Sequence, residues 1–153
     1  MSQELSSPKS VAAPKGTGDG TRPGGTILVA EDDADIRLMM SMLLGMKGYR
    51  VIEARDGQET LDVAQNERPD IILMDLQLPR LNGFAVARFI RQSETLSRVP
   101  IVVVSAHDPA KHRNLALAAG CNAYVQKPID FDRLNELIVS LLPQERGSQK
   151  SER

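Results

Sequence analysis

Ile71-Ile72-Leu73-Met74-Asp75-Leu76-Gln77-Leu78-Pro79 is the stretch on which the fold turns. Four apolar residues run into one carboxylate, and Pro79 closes the segment soon after. A short apolar run with no polar alternation reads as a strand covered on both faces, as in a parallel sheet. Open α/β sheets gather their chemistry at the carboxyl ends of the strands, and Asp75 stands at such an end. An Asp there also serves as an ordinary turn or helix-start residue, so its meaning depends on what other strands bring beside it.

Outward from this stretch, strand and helix signals alternate. Upstream, Ile27–Ala30 reads as an apolar strand, Asp33–Lys47 as a helix ended by Gly48, and Arg50–Ala54 as a short strand. A second helix runs from Asp56 to about Glu67 and is stopped by Pro69, with Asp56 and Glu59 at capping-box spacing. Downstream, Gly83–Gln92 is a helix with Phe84, Ala87, Phe89 and Ile90 available for packing. Pro100–Ser105 is a β-branched strand. Asp108 caps a helix over Pro109–Ala119, which Gly120 ends. Ala123–Gln126 is a fifth strand, and Asp130–Leu142 a last helix with Leu134, Leu137, Ile138 and Leu141 on one face. This alternation predicts an α/β fold, a doubly wound five-stranded parallel sheet with helices on both faces. No internal repeat interrupts it.

Composition excludes several classes. The 153 residues suffice for one domain with a proper core and are too few for two. The net charge of −1 gives no reason to expect a nucleic-acid partner. One cysteine, Cys121, rules out an internal disulfide and fits a reducing cytosol; as a small loop thiol it reads as inert. No run is long and apolar enough to span a membrane, and no signal peptide opens the chain, so a cytoplasmic protein is expected. Residues 1–25 are rich in Ser, Thr, Pro and Gly and read as a disordered tail, as do residues 143–153. The domain is therefore placed at 26–142.

Four strands end in groups that meet if the strands share an edge. The first supplies Glu31, Asp32 and Asp33, the third Asp75, the fourth Ser105 and the fifth Lys127. Clustered carboxylates repel unless something positive joins them. All-oxygen ligands suit magnesium, which favours one or two carboxylates together with phosphate oxygens. Lys127 adds a fixed positive charge and Ser105 a hydroxyl donor. A cation, a lysine, a hydroxyl and one forward carboxylate suit phosphoryl transfer onto that carboxylate. Asp33, a third acid with no required role, reads as a helix N-cap.

Residues 27–33 (Ile-Leu-Val-Ala-Glu-Asp-Asp), 73–79 (Leu-Met-Asp-Leu-Gln-Leu-Pro), 102–106 (Val-Val-Val-Ser-Ala) and 124–128 (Tyr-Val-Gln-Lys-Pro) resemble the receiver domain of bacterial two-component response regulators. The closest type is the stand-alone kind exemplified by the chemotaxis regulator, with a flavodoxin-like (βα)5 fold. Asp32, Asp75, Ser105 and Lys127 are spaced 43, 30 and 22 residues apart, which fits that family. The resemblance implies that Asp75 is the phosphoacceptor and Asp32 the direct magnesium ligand. It implies that Glu31 acts beside Asp32 through water, and that the backbone carbonyl of Gln77 completes the metal site. Ser105 then bonds the phosphoryl group, Lys127 binds the phosphate, Tyr124 is the aromatic switch, and Pro128 follows a cis peptide. Gln77 and His107 stand where the family tunes the access of hydrolytic water.

The implied function is that of a single-domain response regulator. A sensor histidine kinase or histidine phosphotransfer protein donates a phosphoryl group to Asp75. Ser105 is drawn inward, Tyr124 turns, and the face of the fourth helix, fifth strand and fifth helix is reshaped for a protein target. No DNA-binding or enzymatic segment follows Leu142, so output is expected through docking or relay. Beyond its own phosphorylation and slow dephosphorylation, the protein is not expected to be an enzyme. A haloacid dehalogenase-type phosphatase needs Asp-x-Asp, where this chain has Asp75-Leu76-Gln77. An inert interaction module would not need all four chemical positions, and a dinucleotide fold would need Gly-x-Gly-x-x-Gly after the first strand. On the first helix, Ile36, Met40 and Leu43 are expected to face the sheet. Leu38, Met42 and Met46 are expected to form an exposed ridge for the phosphohistidine partner.

Overall fold

Five strands and five helices alternate along residues 24–142, the part of the chain that the computed structural model describes. They are β1 (Thr26–Ala30), α1 (Ala34–Met46), β2 (Arg50–Ala54), α2 (Gly57–Glu67), β3 (Ile71–Met74), α3 (Gly83–Gln92), β4 (Ile101–Ser105), α4 (Pro109–Ala118), β5 (Ala123–Gln126) and α5 (Phe131–Leu141). The strands form one parallel sheet in the order β2-β1-β3-β4-β5. The expected fold and order of elements are therefore observed. The expected tails at 1–23 and 143–153 lie outside the described residues. Gly25, expected in the tail, accepts a hydrogen bond from the Arg50 amide and so joins the domain.

Composition explains which strands are central. β3 and β4 are apolar up to their last residue and are buried throughout, as a strand covered on both faces must be. β2 carries the exposed Arg50 and Glu53 and lies at an edge. Side chains alternate across the pleat into two cores. Leu28, Ile72, Met74 and Val103 pack with α2, α3 and α4 on one side, while Ile27, Val29, Ile71, Leu73, Val102 and Val104 pack with α1 and α5 on the other.

The connections reverse direction between β1 and β3, which opens a crevice at their carboxyl ends. Register brings the chains out level there: Ala30 stands beside both Ala54 and Met74. The Glu31 amide donates to the Ala54 carbonyl (3.0 Å) and the Asp75 amide to the Ala30 carbonyl (3.0 Å). Asp75 is thus the first residue beyond β3 rather than its last.

Local signals act largely as the sequence implies. Asp33, Asp56, Asp108 and Asp130 all accept hydrogen bonds from first-turn amides of the helices they precede. Gly48 has φ 100°, the left-handed conformation that a residue without Cβ adopts freely. Gly57 has no room for a Cβ, which would run into the Leu81 carbonyl; this seats the β3–α3 loop on the start of α2.

Three expectations are corrected. Leu44, not Leu43, joins Met40 as a buried residue of α1: the two pair at i, i+4 in the seam, and Leu43 at its margin is only half-buried. Phe89 is 53% exposed. The stripe Gly83-Val86-Ala87-Ile90 already follows the i, i+3, i+4, i+7 rule, and Phe89 falls one residue off it. Glu59 bonds the amide of Arg55 (2.7 Å), one residue before the position a capping box uses.

Candidate functional site

At the mouth of the crevice, Lys127 reaches across from the end of β5. Its Nζ donates to Glu31 Oε1 (2.9 Å) and to Asp75 Oδ2 (2.9 Å). Both carboxylates are buried, with Glu31 only 3% exposed. The ammonium between the two carboxylates offsets much of their mutual repulsion, the role the sequence offered for Lys127. Burial pushes the Glu31 carboxyl above its usual range, against the pull of Lys127 and of the Asp33 amide. Burial would lower the Lys127 ammonium, but its bonds to Glu31 and Asp75 prevail and it is raised. Lys127 is therefore firmly cationic at neutral pH.

The remaining oxygens are held by backbone. Gln77 N–H donates to Asp75 Oδ1 (2.9 Å), and Asp33 N–H to Glu31 Oε2 (3.1 Å). The Gln77 side chain itself faces solvent. Asp32 is exposed at the rim, and one oxygen from each of Glu31, Asp32 and Asp75 lies within 4.8 Å of the others. Three hard oxygen donors at that spacing, two buried and one open to solvent, fit a divalent cation such as magnesium.

The hydroxyl half lies at the end of β4. Ser105 is fully buried, and its Oγ accepts from the His107 amide (3.1 Å). The Tyr124 hydroxyl donates to the His107 carbonyl (2.9 Å). Ser105 and Tyr124 are thus linked through the two backbone groups of one loop residue. The His107 ring stacks on His112 of α4, with ring centroids 4.7 Å apart. The Lys127 amide donates to the Ser105 carbonyl (2.8 Å), and Lys127–Pro128 is cis, which ties the two halves at the base.

Glu31, Asp32, Asp75, Gln77, Ser105 and Lys127 lie at the carboxyl edge of the sheet, whereas Tyr124 stands within β5 opposite Val103 of β4. Direct side-chain bonds join Glu31, Asp75 and Lys127, whereas Ser105 and Tyr124 meet only through His107. Sequence reasoning missed Arg37, which donates to the Glu31 carbonyl (2.8 Å) and to Glu53 (3.2 Å). Only its place one turn after the acidic run could have signalled it. Cys121 is buried, and burial pushes its thiol up to about 11, which disfavours the reactive thiolate at neutral pH. Leu38, Met42 and Met46 are all exposed on α1, as the helical wheel implies.

Comparison with known proteins agrees with this geometry. The response regulator receiver domain family matches residues 27–139. The polar-differentiation response regulator DivK of Brucella anthropi is 34% identical over 120 residues, covering 78% of this chain and 97% of that one. Among solved structures, the receiver domain of the sensor histidine kinase PA1611 of Pseudomonas aeruginosa superposes with TM-score 0.72 at 35% identity, covering 77% of this chain and 97% of that one. That structure holds a magnesium ion in its active site cleft. The chemotaxis response regulator CheY4 of Vibrio cholerae superposes with TM-score 0.72 at 30% identity, covering 76% and 98%. Among the described residues no helix is long and apolar enough to cross a membrane.

Proposed function

This chain belongs to the response regulator receiver domain family, and on that premise we propose that Asp75 takes a phosphoryl group from a phosphohistidine on a partner protein. One observation carries the reading: the bridge from Lys127 to Asp75 Oδ2 and Glu31 Oε1, 2.9 Å each, at the switch point of the sheet. An Asp75 oxygen forms the new P–O bond as the P–N bond breaks. The electron pair returns to the imidazole, which leaves neutral once it is protonated. Lys127 stays cationic and bonds the oxygens of the transferred group. Ser105 exchanges its bond with the His107 amide for donation to a phosphoryl oxygen, since a hydroxyl both donates and accepts.

Glu31, Asp32, Asp75 and the backbone carbonyl of Gln77 would hold a magnesium ion, which would supply positive charge to the phosphoryl oxygens. Ser105 is tied to Tyr124 through His107, so a change at Ser105 passes to the start of α4 and to the face of α4, β5 and α5. A cleft of about 400 Å³ lined by β5, α5 and the loop between them, among others by Tyr124, Gln126, Pro128, Arg133 and Leu137, adjoins that face. The donor, a sensor histidine kinase or histidine phosphotransfer protein in the cytoplasm, meets the exposed ridge Leu38, Met42 and Met46.

One experiment with two donors tests the reading. Intact mass follows the label from a small phosphodonor with magnesium, and from the partner protein. Wild type gains one phosphoryl group from either, and Asp75→Asn gains none. The double variant Leu38→Ser, Met42→Ser accepts from the small donor at the wild-type rate and from the partner more slowly. Label on Asp75→Asn would move the site elsewhere.

A further inference from the structure

Among the described residues, Arg37 is the one cation whose side chain bonds the backbone of the acidic loop. It projects from the first turn of α1, and its side chain is only 13% exposed. Its fork makes two bonds, from Nη1 to the Glu31 carbonyl (2.8 Å) and from Nε to Glu53 Oε1 on β2 (3.2 Å). The Glu31–Asp32 peptide is thereby gripped on its oxygen. Just before it, the Glu31 amide is gripped by the Ala54 carbonyl of the same strand, β2. Just after it, the Asp33 side chain caps α1 through the Asp35 and Ile36 amides. Asp32 itself is exposed, and among the described residues no hydrogen bond holds its carboxylate. Its direction is set by the peptide that precedes it and the cap that follows.

We propose that Arg37, braced by Glu53, is a positioning residue for the cation site: it fixes the Glu31–Asp32 peptide plane so that the Asp32 carboxylate is aimed at the Asp75 side of the crevice before any ion arrives. The inference rests on the reading of Glu31, Asp32 and Asp75 as a magnesium site. Groups that orient a ligand from outside the coordination sphere govern metal affinity through geometry. A guanidinium suits the task because its planar fork bonds a carbonyl and a carboxylate at once, which an ammonium on a flexible stem does poorly.

Electrostatics predicts the opposite sign, and that separates the two roles. A positive charge close to three carboxylates repels an incoming divalent cation. If Arg37 were only a surface charge, its removal would tighten magnesium binding. If it positions Asp32, its removal weakens binding despite the gain in attraction.

The test is calorimetric titration of magnesium into the full chain at a temperature well below unfolding. Arg37→Met keeps the apolar stem and removes both the charge and the donors; its Kd rises roughly tenfold over wild type. Arg37→Lys retains the charge and recovers part of the affinity. Glu53→Ala, which removes the brace and leaves Arg37 in place, weakens binding by a smaller factor. A Kd for Arg37→Met equal to or below that of wild type overturns the proposal while leaving the magnesium site standing. Wild type that binds no magnesium overturns both. Should Arg37→Met fail to fold, Arg37→Lys and Glu53→Ala decide: wild-type affinity in both refutes the positioning role.

Discussion

Helices α3 and α4 have ten residues each and cover the same side of the sheet, yet they are seated very differently. α3 buries Gly83, Val86, Ala87 and Ile90, and its Arg91 bonds the carbonyls of Ser97, Val99 and Gly120. α4 buries Ala116 and exposes Leu115 and Leu117. A buried Val or Ile is worth roughly 1.5–3 kcal/mol and a single methyl group less than about 1. The same contrast divides the site. Glu31, Asp75 and Lys127 are joined by direct charged bonds, while Ser105 and Tyr124 are joined through the backbone of the loop that leads into α4. On the proposed function, the held half fixes charges where a phosphoryl group would arrive, and the loosely held half is the one suited to respond, because displacing α4 costs little burial.

The largest expected effect is on the seating itself. Ile90→Ala costs about 2–5 kcal/mol in urea unfolding. Leu115→Ala stays within about 0.5 kcal/mol of wild type. Comparable losses at the two positions would erase the contrast.

A smaller effect isolates the link between the hydroxyl half and α4. Tyr124→Phe removes the bond to the His107 carbonyl, worth about 1 kcal/mol. Native-state amide exchange in α4 should then speed up by roughly fivefold while α3 keeps its protection. Equal acceleration in both helices, or none in either, would mean that Tyr124 does not restrain α4 through His107.

The smallest effect tests the charged half alone. Burial raises Glu31 above its ordinary 4.5, so the folded protein holds this proton to higher pH than the unfolded chain does. The stability this adds is fully present below pH 4.5 and is lost as pH rises through the raised value. In chelator, the melting temperature of wild type relative to Glu31→Gln should therefore climb as pH is lowered from neutrality toward 4.5. A relative fall over that range would mean that the bond to Lys127 outweighs burial at Glu31.

Much of this was legible along the chain. The apolar runs at 27–30, 71–74 and 101–104 mark the buried strands because a strand covered on both faces has no place for a polar side chain. Aspartates before helices and glycines after them announced the caps, since their backbone preferences are local. The wheel exposed Leu38, Met42 and Met46 correctly. It erred at Leu43 and Phe89 because periodicity gives the width of a buried stripe only approximately, and the neighbouring elements set its edges.

The sequence by itself determined the order of the elements, the parallel sheet and the polar groups that each strand end presents. These follow from periodicity and caps, which act over a few residues. Only the tertiary structure decided which of those groups touch. Lys127 lies 96 residues from Glu31 and 52 from Asp75 in the chain, and it bonds both. Arg37 grips Glu31 rather than solvent, and Tyr124 reaches Ser105 only through His107. Such pairings depend on strand order, register and the depth at which each side chain is buried, and these are settled by packing the whole sheet at once.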